Sequence, residues 1–118
     1  ALYEAYQKPR AIYFVIELDG QIIGGGGIAK LDNCDENICE LQKMYFLEEA
    51  RGLGLGIKMM TLCIEKAKDF MFENCYLETM IYMKAAQKLY LKNDFEYIDG
   101  PMGNTGHYSC PVHMLKEL

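Results

Sequence analysis

The densest chemical signal in the chain is the turn Arg51-Gly52-Leu53-Gly54-Leu55-Gly56, which opens a long helical pattern. Three alternate glycines let the backbone fold tightly and present successive N–H groups. At a helix N-terminus those donors and the macrodipole form a site for an anion such as a pyrophosphate. Glycine also admits a phosphate close to the main chain, where a Cβ would obstruct it. Two common phosphate motifs fail here. A P-loop ends in Gly-Lys-Ser/Thr, whereas Lys58 stands between Ile57 and Met59. A Gly-x-Gly-x-x-Gly fingerprint needs glycine where the chain has Ile57 or Met59.

The remaining reactive residue types are spaced for packing. The five cysteines are Cys34, Cys39, Cys63, Cys75 and Cys110, with no Cys-x-x-Cys pair, and neither His107 nor His113 completes a ligand spacing. No metal site is expected. An odd number of thiols in apolar surroundings reads as reduced, buried cysteine of a cytoplasmic protein. A net charge of -5 argues against nucleic acid as a partner, which would call for a clustered basic surface, and mildly favours a protonated amine. No apolar run approaches the ~20 residues of a membrane span, and the first eight residues lack the basic start and apolar stretch of a secretory signal.

The turn resembles the acyl-CoA loop of the GNAT superfamily, Gln/Arg-x-x-Gly-x-Gly/Ala, with Arg51, Gly54 and Gly56 in the matching positions. Downstream, Ala86-Gln87-Lys88-Leu89-Tyr90-Leu91-Lys92-Asn93-Asp94-Phe95 is similar to that superfamily's Ala-x-x-Leu-Tyr-x-x-x-Gly-Phe segment. Asp94 departs from the usual glycine but tolerates a left-handed turn better than most residues. Met83 stands where many members have an asparagine that touches the cofactor. The resemblance spans about residues 11–118. It implies acetyl-CoA as co-substrate and direct transfer of its acetyl group to a primary amine on a small molecule or peptide, with no metal. A homodimer is common in the family. The alternative on the same fold is a non-catalytic acyl-CoA-binding or protein-interaction module.

The resemblance also implies roles. Cofactor contacts fall on Met44, Tyr45 and Phe46 of the strand before the loop and on Arg51, Gly52, Leu53, Gly54, Leu55 and Gly56. Within that strand a main-chain N–H at Tyr45 or Phe46 is the expected oxyanion donor, since a fixed dipole needs no reorganisation as charge develops. Tyr90 matches the general acid that protonates the thiolate. Glu40 is the candidate base, because desolvation raises a carboxyl pKa from ~4.3 toward a useful range. Glu78 is a weaker substitute. Met44, Met59, Met60, Met80 and Met83 are expected in the core.

Positioning these residues requires a mixed sheet. Residues 11–18 and 21–29 read as a hairpin turned at Asp19-Gly20, residues 39–47 as the next strand, and residues 75–80, 95–98 and 111–115 as the others. Four glycines at positions 24–27 inside a strand mark close packing in preference to ligand space. Helices are expected over residues 54–70 and 85–91. In the first of them Ile57, Met60, Ile64, Ala67 and Met71 form an apolar stripe opposite Lys58, Thr61, Glu65 and Lys68. The first ten residues, with Leu2, Tyr3 and Tyr6 before Pro9, read as a helix end. The chain opens on Ala1, and the resemblance implies a single domain over residues 1–118 from which the family's first strand and following helices are largely missing. The expected fold is α/β (α+β). It is a single, mostly antiparallel sheet with a central parallel β-α-β unit and flanking helices, like an acyl-CoA N-acyltransferase.

Overall fold

The alternation of buried and half-buried residues along Ile12–Leu18 is the period of a strand with one face on a core, and it sets the frame of the sheet. A computed structural model describes residues 2–4, 9–103 and 112–118, with no side-chain description for residues 2–4. The elements are β1 (Leu2–Glu4), β2 (Ile12–Leu18), β3 (Gln21–Lys30), β4 (Ile38–Phe46), a 3₁₀ turn (Glu48–Ala50), α1 (Leu55–Asp69), β5 (Asn74–Thr79), α2 (Lys84–Lys92), β6 (Glu96–Ile98) and β7 (Val112–Glu117). The seven strands form one sheet in the order β1-β2-β3-β4-β5-β7-β6. Among the described strands only β4 and β5 run parallel, joined by α1, while the other neighbours are antiparallel. This is the expected mixed sheet with a parallel unit at its centre.

Two expectations change. Leu2–Glu4 is a strand on the outer edge of β2, with Leu2 opposite Ile16, and not the end of a helix. Three residues are too few to set a period, and the open edge of β2 offers partners for the backbone of β1. Residues 5–8 lie outside the described residues. The stripe of α1 also narrows. Met59, Met60, Cys63, Ile64 and Ala67 are buried as expected, but Ile57, in the first turn of the helix, is 58% exposed. Met71 follows the helix end in a left-handed conformation, φ 68°, and faces solvent.

Asp19 and Gly20 both have positive φ, 52° and 82°, which is the two-residue hairpin turn that matches strand twist. The glycine strand β3 is buried from Ile23 through Ile28. A Cβ on Gly25 would stand 2.7 Å from the Tyr13 hydroxyl, and one on Gly27 would collide with the Ile12 carbonyl. On the other side, a Cβ on Gly26 would meet Met44 at 3.0 Å and Met59 at 3.1 Å. The glycines are therefore packing residues, as expected. They let the Tyr13 side chain lie across β3 and donate to the Lys43 carbonyl of β4 at 2.7 Å.

Lys43 is the centre of a bulge. The β3–β4 register shifts between Gly25 and Gly27, and Lys43 has φ 50°. Bulged strands bend and twist. The parallel pairing of β4 with β5 covers three positions, ending at Glu40 opposite Tyr76. Beyond them the two strands diverge, and a wedge opens in the middle of the sheet.

Gly27→Ala places its Cβ against backbone that has no room to give, and the expected loss is about 1–3 kcal/mol of unfolding free energy. Gly100→Ala, where nothing lies within 4 Å, is the control and should stay within about 0.5 kcal/mol of the parent. Urea midpoints of the two variants check both values.

Candidate active site

The wedge joins two cavities. The larger, about 570 Å³, runs along the face of the sheet that carries the helices. Its walls are Met44, Tyr45 and Phe46 of β4, the turn around Arg51, Gly52 and Gly54, the first turn of α1, and Met83, Ala86, Leu89 and Tyr90 at and in α2. The smaller, about 190 Å³, lies between the separated strands, with Glu40, Gln42 and Met44 on β4 and Leu77, Glu78 and Thr79 on β5. Met44, Met83 and Tyr90 line both.

The glycine turn owes its shape to local backbone chemistry. Gly52 and Gly54 have φ 77° and 70°, and a Cβ on either would meet nothing within 4 Å. Gly54 is the N-cap of α1 and supplies no side-chain cap. The first amides of a helix lack intrahelical acceptors, so those of Leu55, Gly56 and Ile57 are donors directed out of the helix start. The first closing bond comes later, from Lys58 N–H to the Gly54 carbonyl at 3.4 Å. The cradle thus fits an anionic group. Leu53, 57% exposed, is on the turn but does not line the groove, unlike the other residues expected there.

The ladder also distinguishes the two expected oxyanion donors. Leu47 N–H donates to the Ile23 carbonyl at 2.8 Å, and the same register places Tyr45 opposite Gly25 and Phe46 opposite Gly24. Bonded and non-bonded pairs alternate in an antiparallel ladder. The Tyr45 amide therefore turns toward β3, and that of Phe46 turns away, to the side where β5 has diverged.

Tyr90 is 8% exposed and packs on Phe95, with ring centroids 6.0 Å apart. Burial pushes its phenol up to about 12, so it stays protonated through neutral pH. No described residue hydrogen-bonds its hydroxyl. Asp94, just beyond α2, adopts the left-handed conformation expected of it, φ 68°. Glu40 is 5% exposed, accepts a hydrogen bond from Gln42 Nε2 at 2.9 Å, and faces the smaller cavity instead of bulk water. Met59 and Met60 are core, and Met44 lines the groove with the other expected cofactor contacts, but Met83 lines both cavities and Met80 the smaller one, where core positions were expected. The separation of β4 from β5 opens the space that these three side chains line.

Sequence reading missed Gln87. Buried on α2, it donates to the Met80 and Ile81 carbonyls at 2.9 and 3.2 Å and accepts from the Tyr97 hydroxyl at 2.8 Å, which ties the start of α2 to the end of β5. A lone polar residue on the apolar side of a helix was its only signal. His113, in contrast, stands beside Glu78 in the adjacent strand, and only the β5–β7 register reveals it. Among the described residues no cluster of His, Cys, Asp or Glu is arranged to hold a metal ion. Among those residues, no helix is long and apolar enough to cross a membrane.

Residues 1–95 match the sequence profile of the acetyltransferase (GNAT) family. The chain is 48% identical over 117 residues to the uncharacterized N-acetyltransferase YjgM of Escherichia coli (strain K12), covering 99% of this chain and 70% of the relative. Among solved structures, a GNAT family acetyltransferase from Staphylococcus aureus Mu50 superposes with a TM-score of 0.81 at 25% identity, covering 92% of this chain and 68% of the other. A GNAT family acetyltransferase from Elizabethkingia anophelis, solved with acetyl-CoA bound, shares the fold with a TM-score of 0.72 at 18% identity, covering 92% and 77% of the two chains.

The raised Tyr90 pKa carries a sign. The folded state keeps the phenol neutral up to about 12, whereas the unfolded chain ionises it near ~10. Its contribution is complete below pH ~10 and is lost as pH rises through ~12, since the unfolded state binds fewer protons there. Stability measured from pH ~9 to ~12 should fall less steeply in Tyr90→Phe than in the parent.

Proposed function

The chain belongs to the acetyltransferase (GNAT) family, and we propose that it transfers an acetyl group from acetyl-CoA to a primary amine by direct attack. The observation that carries this reading is the place of Tyr90, at the junction between the glycine-lined groove and the cavity lined by Glu40. One side of the sheet holds donors suited to a phosphate ligand, and the wedge holds groups suited to moving protons.

In this reading, acetyl-CoA supplies an activated thioester. The amides at Gly52, Gly54 and the start of α1 hold its pyrophosphate, and the Arg51 side chain adds charge at the mouth of the groove. The Phe46 N–H faces the diverged side of β4 and serves the thioester oxygen as negative charge develops there. Glu40 takes a proton from the acceptor nitrogen, whose lone pair forms the new N–C bond as the C–S bond breaks. Tyr90 gives its proton to the departing thiolate. Such a transfer suits a neutral phenol kept in the protonated form by burial. The free thiols Cys34, Cys39, Cys63 and Cys75 suit the cytoplasm as the setting.

A thiol-release assay with acetyl-CoA and a panel of primary amines tests the reading. Tyr90→Phe should lower kcat about 10- to 100-fold, the lower end of general acid catalysis because a thiolate is a fair leaving group. Acetyl-CoA affinity, read by calorimetry, should be unchanged. Glu40→Gln should lower kcat about 100-fold at neutral pH. Absence of CoA binding by the parent would overturn the reading at its base.

A further inference from the structure

A second carboxylate enters the smaller cavity, from β5. The Glu78 side chain is 4% exposed, and its Oε2 accepts the Tyr76 hydroxyl at 2.5 Å. The Tyr76 oxygen accepts from the Met102 N–H at 3.2 Å and lies 3.0 Å from His113 Nδ1. A phenol has one proton to donate. Because that proton goes to Glu78, Nδ1 of His113 must carry the hydrogen in its contact with Tyr76. The same Nδ1 stands 3.5 Å from Glu78 Oε2.

The holding groups are themselves held. The Tyr76 and His113 rings stack, with centroids 6.3 Å apart and planes 11° from parallel, and His113 sits opposite Glu78 in the β5–β7 ladder. Burial, and then the bond to Glu78, push the Tyr76 phenol well above its usual range, so it remains a donor. A purely structural network would be sealed in the core, but this carboxylate lines the cavity that Tyr90 also lines. The other titratable groups there are Glu40 and Lys43 from β4 and Tyr90 from α2.

We propose that Glu78 binds the acceptor's ammonium group beside Glu40, with Tyr76 and His113 as positioning residues that fix its carboxylate; this rests on the acetyl-transfer reading. The acceptor enters as R–NH3+. One proton passes to the Glu40 carboxylate, giving R–NH2 and a carboxylic acid; the second, shed as the N–C bond forms, returns to the Tyr90 phenolate left by protonation of the thiolate, while Glu78 keeps an N–H···O bond to the nitrogen. The acceptor class is an aliphatic amine with no carboxylate on the carbon that bears nitrogen. Such a group would be brought against two acidic side chains, and like charges in a buried site are costly.

The test compares pentylamine with norleucine, which adds a carboxylate beside the same amino group, at saturating acetyl-CoA. The parent should use pentylamine with at least about tenfold higher kcat/KM. Glu78→Gln, which keeps shape and removes charge, should raise the KM for pentylamine about tenfold or more while kcat changes less than about threefold, the pattern of lost binding. Tyr76→Phe, which keeps the ring, should shift KM the same way by a smaller factor, with acetyl-CoA affinity unchanged as evidence of an intact fold. An unchanged KM in Glu78→Gln, or equal use of norleucine, overturns the assignment of Glu78 alone. A parent inactive toward both acceptors takes the transferase reading down with it.

Discussion

The hydrogen bond from the Tyr13 hydroxyl to the Lys43 carbonyl is the contact on which the rest depends. It crosses an entire strand, and it can do so only because that strand has no side chains at Gly25 and Gly27 to stand in the way. It ties β2 to the bulge of β4, where Lys43 is held at φ 50°. A non-glycine residue in that region is strained, and a bond to its carbonyl, together with packing of Met44 and Met59 over Gly26, offsets some of the cost. The bulge bends β4, and the parallel pairing to β5 stops after Glu40. A gap in the centre of a sheet would ordinarily leave backbone groups without partners. Here it forms a passage between the two faces that the groove and the smaller cavity share.

The two sides of that passage differ in chemistry because the strands alternate. Cys39, Leu41, Cys75 and Leu77 belong to the core under α1, whereas Ile38 and Tyr76 belong to the smaller cluster on the opposite face. By the same period Glu40 and Glu78 share the face of Ile38 and Tyr76. Apolar side chains and backbone donors thus line one approach to Tyr90, and carboxylates line the other. The separation needs no dedicated loop. It follows from an even spacing of residues 38, 40, 76 and 78 along two strands whose pairing ends at Glu40.

The sequence disclosed the groove far better than the wedge. A glycine turn before a long apolar stripe is a local pattern, and Leu55–Asp69 and its turn lie where that pattern put them. Tyr90 was legible because its neighbours in α2 form a recognisable segment. Leu2–Glu4 was misread because three residues beside an open edge take their conformation from the partner strand, not from their own spacing. Met80 and Met83 were assigned to the core as apolar residues; which apolar residues end up facing a cavity depends on where two strands separate. His113 meets Glu78 and Tyr76 from another strand, across dozens of sequence positions, and no local period encodes such a meeting. The β-bulge at Lys43 was equally silent, since lysine gives no sign of a left-handed conformation.

In the proposed reaction, charge poses a further constraint. A chain of net charge -5 repels an anionic ligand at long range, yet the glycine turn is shaped to take one. Over separations beyond ~8 Å, physiological salt screens most of that repulsion. Attraction must then come from groups in contact. Backbone amides of a helix start carry partial positive charge without adding a side chain, and their strength falls off within the first turn. Gly52 and Gly54 suit such short-range binding because open space surrounds their α-carbons, so a ligand reaches the N–H groups themselves. The same acidic surplus that is a liability in the groove is an asset in the wedge, where a protonated amine is drawn in. The diverging strands let one small sheet serve both charges, keeping the anion's donors and the cation's carboxylates on opposite sides of Tyr90.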